Sequence, residues 1–141
     1  MSLPIEAYAV IGDTRTAALV STEGSIDWLC LPRFDSGACF AALLGDGGNG
    51  RWSIAPVDRV TRTRRRYREG TLVLETELTT PTGVVRLVDC MPPEETTPNV
   101  LRLVEGVSGE VAMRMELVIR FDYGWVVPWV RRFDGDLVAV G

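Results

Sequence analysis

The chain predicts an all-β fold, an antiparallel β-sandwich with one short helix. Three observations carry that expectation. Apolar and polar residues alternate over several short runs, clusters of Gly, Pro and Asp punctuate the chain every ~8–12 residues, and no long stretch keeps a helical period. The clearest alternation runs from Val111 to Phe121. Val111, Met113, Met115, Leu117, Ile119 and Phe121 point one way, and Arg114, Glu116 and Arg120 the other. A helix would scatter those apolar residues around its circumference, so the strand reading wins.

Taken in order, the first unit spans Ile11 to Asp46. Two apolar runs, Ala17–Val20 and Ile26–Cys30, flank Ser21-Thr22-Glu23-Gly24-Ser25. Gly24 can take the positive φ of a tight reversal, which predicts a β-hairpin. Pro32 lacks a ladder donor and should end the second strand. Ser36 is then placed to cap a short helix over Ala38–Leu44, stopped at Gly45, with Asp35 a further candidate for the cap. Gly45–Gly50 is a turn-rich loop whose Asp46, Gly48, Gly50 spacing lacks the carboxylates of a calcium loop. Arg51–Ala55 reads as a strand ended by Pro56.

The segment Arg59–Arg68 is strongly basic. It reads as a solvated strand and turn whose arginines pair with an acidic surface or a neighbouring domain. Nucleic-acid binding through Arg62–Arg68 is the weaker alternative, because the whole chain is acidic and no nucleic-acid motif frames the run. Thr71–Thr79 alternates, with Leu72, Leu74 and Leu78 on one face and Val73, Glu75 and Glu77 on the other. The Glu75/Glu77 pair is expected on a solvent face rather than in a catalytic site. Pro81-Thr82-Gly83 turns the chain into Val84–Cys90, a second hairpin. Pro92–Pro98 is a connecting loop, Val100–Val104 a strand closed by Gly106–Gly109, and Trp125–Val130 an edge or bulge at Pro128. Asp134-Gly135-Asp136 turns into a last apolar strand, Leu137–Val140.

Composition narrows the function classes. A length of 141 residues with 46% hydrophobic content suits one sandwich domain over residues 1–141, able to bury roughly 68% of its unfolded surface. The net charge of −4 gives no global pull toward nucleic acid or anionic lipid. All fifteen cations are Arg, and there is no His, so no His-based triad, general base or imidazole metal site can be built. Cys30, Cys39 and Cys90 have no short metal-ligand spacing and read as free buried thiols, with a Cys30–Cys39 disulfide left open. Neither a secretory leader nor a membrane span of ~20 apolar residues is visible, so a cytoplasmic protein with no membrane partner is expected. No metal or cofactor is expected.

The phrases IGDTRTAALVSTEGSIDWLCLPRFDSGACFAALLGD, RRYREGTLVLETEL, MPPE, VEGVSGEVAMRMELVIRFDYG and VPWVRR together resemble the opening of bacterial glycoside hydrolase family 15 proteins, the glucoamylase-like and trehalase-like enzymes. The similarity runs from about Ile5 to the last residues. It implies an N-terminal β-sandwich, part of a supersandwich, followed by a catalytic α/α-barrel that hydrolyses α-glucosidic bonds with two glutamates and inversion. No counterpart of that barrel lies within the 141 residues, so the resemblance implies a missing C-terminal catalytic domain as partner and a chain that is inactive alone.

Two groups could still meet a sugar. Trp28, Arg33, Phe34 and Asp35 lie at the strand-to-helix corner, and Tyr123 and Trp125 sit in the Asp122–Trp125 turn. Aromatic faces stack on the C–H faces of a sugar, while Arg and Asp bond its hydroxyls. The structural alternative puts Trp28 in the core and closes Arg33 on Asp35 as an ion pair. The functional expectation is therefore an accessory domain that supports the barrel and one wall of an α-glucoside site. A free-standing carbohydrate-binding module is the alternative, and a homodimer through exposed strand edges is a further possibility.

Overall fold

The computed structural model describes residues 3–93 and 96–141, so the expected Pro92–Pro98 connector falls partly outside the described residues. Twelve strands are present among them: β1 (Tyr8–Gly12), β2 (Ala17–Ser21), β3 (Ser25–Cys30), β4 (Ala38–Phe40), β5 (Arg51–Pro56), β6 (Arg62–Tyr67), β7 (Leu74–Thr79), β8 (Gly83–Cys90), β9 (Leu101–Gly109), β10 (Met113–Val118), β11 (Trp129–Phe133) and β12 (Asp136–Val140). Every pairing is antiparallel. One sheet runs β1-β2-β3-β5-β10, with β4 also on β3; a second runs β6-β7-β8-β9; β11 and β12 form a hairpin of their own. The expected all-β sandwich is what the chain forms.

The predicted hairpin turns fall where their chemistry put them. Gly24 adopts φ +80°, and a Cβ there would collide with the Ile54 carbonyl of the neighbouring strand, so this position needs glycine twice over. β7 and β8 are joined through Pro81-Thr82-Gly83, and β11 and β12 through Asp134 and Gly135, both at positive φ.

Between the sheets lie two apolar clusters. Ile11, Val20, Ile26, Leu29 and Phe40 of the first sheet meet Leu74 and Met91; Ile54 meets Leu78, Val85 and Leu87. Burying each such side chain contributes about 1.5–3 kcal/mol.

Three polar side chains of the second sheet bond to the backbone of the first and fix the sheets to each other, Tyr67 at an exposed rim and Arg65 and Arg102 further in. Tyr67 Oη accepts from Val10 N–H (2.9 Å) and donates to Val10 C=O (2.8 Å). Arg65 donates to the carbonyls of Val20 (3.1 Å) and Ala7 (3.0 Å). Arg102 goes deepest. Its side chain is 1% exposed, with Nε 2.7 Å from Asp89 Oδ1, Nη1 2.6 Å from Trp52 C=O and Nη2 2.8 Å from Gly24 C=O. The guanidinium carbon also lies 5.3 Å from the centre of the Trp52 ring. Every face of this buried cation is met, the condition under which a buried charge is tolerated.

Four local expectations are corrected. The helix over Ala38–Leu44 is instead strand β4 followed by a 3-10 turn at Ala42–Leu44. Leu29 and Cys30 of β3 offer an unpaired edge there, and the ladder to Phe40 and Ala38 outcompetes a helix too short to stand alone. Ser36 and Asp35 therefore cap no helix. Leu72 is exposed rather than on the core face, because β7 begins only at Leu74 and Arg68–Thr71 closes a turn. Finally, β9 does not stop at Gly106 but runs to Gly109, absorbing the extra residue as a bulge opposite Val84 and Val85.

Candidate functional site at an aromatic corner

The corner that follows β3 is assembled from the backbone outward. Asp13 Oδ1 accepts from Arg15 N–H and Thr16 N–H (both 2.9 Å), closing the β1–β2 turn. Thr16 Oγ1 donates to Cys30 C=O (2.6 Å), and the Phe34 N–H donates to Arg15 C=O (3.0 Å). The β1–β2 turn thus holds the 30–34 segment in place. Ser36, unused as a helix cap, accepts from Arg33 N–H through Oγ (3.1 Å) and closes the loop.

Trp28 is half-buried against the small cluster of Cys30, Ala38 and Ala41. Its ring lies 6.0 Å from that of Tyr123 at 39°, a tilted aromatic pair. Tyr123 sits in the Asp122–Gly124 3-10 turn at φ 62°, and its carbonyl accepts from Asn49 Nδ2 (3.2 Å). The structure therefore joins the two candidate groups through Trp28 and Tyr123. Trp125 stands 87% exposed beside them in sequence.

Arg33 and Asp35 close on each other at 3.0 Å, each about two-thirds exposed, and Phe34 is exposed. An ion pair this wet contributes ~0–1 kcal/mol and pins the loop rather than presenting two free groups. Among the described residues no hydrogen bond or ring contact ties Arg33, Phe34 or Asp35 to the Trp28–Tyr123 pair.

A second polar site was not visible in the sequence. Arg64, Arg66, Glu75, Glu77 and Arg86 line a hollow on the outer face of the second sheet. Glu75, expected on a solvent face, is only 5% exposed, because Arg66 and Arg68 both hold it at 2.7 Å. Hydrogen bonds from Arg68 and Arg66 keep its carboxyl below the usual range, the wrong direction for the general acid of a glycosidase. Glu77 is bonded to Arg86 at 2.9 Å. The matching period-2 rows, Arg64/Arg66/Arg68 and Glu75/Glu77, were the available signal, but only the β6–β7 register sets them opposite each other.

The remaining titratable groups are structural. Burial, then the 2.8 Å hydrogen bond to Asp27, pushes the Tyr8 hydroxyl up to about 12. Burial pushes the Cys39 thiol up to about 12 and raises Cys30 and Cys90; all three cysteines are free, with no disulfide, and Cys90 is half-buried rather than fully so. Among the described residues no three His, Cys, Asp or Glu side chains group as metal ligands, and no helix is long and apolar enough to cross a membrane.

Comparison with known proteins identifies the family. The model of the trehalase-like N-terminal family matches residues 1–141. The chain belongs to that family. Its relatives include the trehalase of Thermoplasma volcanium (35% identical, 91% of this chain and 22% of the relative) and the trehalase of Mycolicibacterium smegmatis (37%, 85% and 21%). Trehalase 1 of Sulfolobus acidocaldarius is 34% identical over 94% of this chain and 22% of its own. The chain thus spans about a fifth of the length of the curated relatives it matches. No solved structure matches it. The family expectation from the sequence phrases is met at the level of the trehalase-like N-terminal domain.

Proposed function

We propose that this chain is the non-catalytic N-terminal domain, one sandwich over residues 1–141, of an enzyme that hydrolyses trehalose or a related α-glucoside. The observation that carries the reading is the similarity to trehalases over most of this chain but about a fifth of theirs. Two features support it. Glu75 and Glu77, the one carboxylate pair the sequence put forward, are both engaged by arginines. The Trp28–Tyr123 corner offers an aromatic wall, so its role is to line one side of a sugar site that a catalytic body completes. Trp125, Trp129 and Phe133, 87%, 76% and 74% exposed, are the side chains for that body to cover.

The test is an assay of the purified chain against trehalose and maltose. No hydrolysis is expected with either. Turnover that disappears on one carboxylate substitution, such as Glu75→Gln, overturns the reading. A free-standing carbohydrate-binding module is distinguished by titration: it requires sugar binding by this chain that Trp28→Ala or Trp125→Ala abolishes.

A further inference from the structure

We propose that the free edge of β10 pairs with β10 of a second copy of this chain, antiparallel about a two-fold axis through Met115. Among the described residues β10 ends its sheet, bonded to β5 on one side only. Its outer edge is open along an apolar trough lined by Met115, Leu117, Ile119, Val130, Leu137 and Ala139 between β10 and the β11–β12 hairpin. Met115 and Leu117 are 63% and 44% exposed, so the chain carries an unpaired strand edge and an uncovered apolar row at the same place.

The sequence of β10 selects the occupant and the register. With the axis through Met115, Met113 faces Leu117 of the second copy on the apolar side, and Arg114 faces Glu116 of the second copy on the polar side, twice by symmetry. An axis through Arg114 or Glu116 would instead oppose two like charges. An axis between residues would put Met115 against Glu116 and mix the two faces. Of these registers the Met115 one satisfies both faces. The side chains are free to comply. Arg114 has no ion pair among the described residues, and Glu116 meets Arg51 through Oε1 alone (2.8 Å), leaving Oε2 for the second copy. This pairing concerns the chain by itself and does not depend on the trehalase reading.

The experiment is light scattering on the eluting peak of the 141-residue chain over a wide concentration range, with R114E, E116R and their equimolar mixture. The native chain is expected to be a dimer. R114E and E116R each place two like-charge pairs across the axis, so each alone should weaken the dimer by about tenfold or more. The mixture should regain it, because both cross-axis pairs are again of opposite sign. Circular dichroism checks that each variant is folded, and the mixture contains the same two chains, so misfolding cannot mimic the rescue. Met115→Cys should link two copies on mild oxidation, as residues directly opposed on paired strands have Cβ atoms ~4.5–5.5 Å apart. A monomeric native chain at the highest concentration overturns the proposal, as does a mixture no more dimeric than either variant alone.

Discussion

The strands before Met91 and those after Val100 are built from the same period-2 pattern and have opposite fates. All the buried apolar side chains among the described residues lie between Ile11 and Met91. In β9 to β12, Leu103, Met115, Leu117, Trp129, Phe133 and Leu137 are all exposed by 44% or more. The six-residue alternation from Val111 to Phe121, the strongest strand signal in the chain, is divided: Val111, Met113, Ile119 and Phe121 pack part-buried against the core, while Met115 and Leu117 stay exposed. Alternation reports that one face avoids water; it does not report what covers that face. In the first region a second sheet does. In the later strands Met115, Leu117, Trp129 and Leu137 are left exposed.

This contrast can be tested at the Arg102 side chain, which leaves exposed β9 and ends in the closed interior. Arg102→Ala leaves the Asp89 carboxylate buried without its partner, and a loss of ~3–5 kcal/mol is expected from urea unfolding. An unchanged midpoint would mean that the buried Arg102–Asp89 pair adds nothing to the stability of the interior. Next in size, Leu78→Ala should cost ~2–5 kcal/mol by opening a cavity at a 1% exposed site. Leu137→Ala, at 69% exposure, should shift the same midpoint by no more than about 0.5 kcal/mol. Equal losses would show that the β11–β12 hairpin packs as tightly as the core.

Smaller effects sharpen the picture through pH. The Glu75 carboxyl is lowered in the folded chain, so its stabilisation is present above the unfolded value of ~4.3 and fades as pH falls through the lowered folded value. Glu75→Gln should flatten the acid limb of stability against pH while leaving the alkaline limb as it was. Tyr8 is raised to about 12, so its contribution is whole below ~10 and is lost as pH climbs toward 12. Tyr8→Phe should remove that alkaline decline, and tyrosinate absorbance should lose its latest-titrating component.

Much of the fold was legible because turn chemistry is local. Gly24, Pro81-Thr82-Gly83 and Asp134-Gly135 marked their hairpins before any contact was known. What failed depended on which strand lies alongside which, a pairing that the local residues do not state. Ala38–Leu44 is a short apolar run that suits helix and buried strand alike, and the open edge of β3 decided between them. Glu75 reads as a surface charge until β6 brings Arg66 and Arg68 over it. At the candidate site, Trp28 and Tyr123 were each named, but nothing in their surroundings announced that their rings would meet. The Arg33–Asp35 pair, two residues apart, was legible for the same reason as the turns.

The Arg102 fork also bears on how the sandwich assembles. Its two carbonyl acceptors, Gly24 and Trp52, lie 78 and 50 residues away along the chain, in the β2–β3 turn and in β5 of the other sheet. β9 can zip onto β8 early, but while the sheets are apart the guanidinium stays in water and the cation need not be desolvated. It loses that water only when both carbonyls arrive together. Desolvation of one charge and docking of two sheets are thus a single event. A half-closed sandwich, with Arg102 dehydrated and one acceptor absent, would sit high in free energy and stay unpopulated. A side chain so placed ties the desolvation of its charge to closure of the layers.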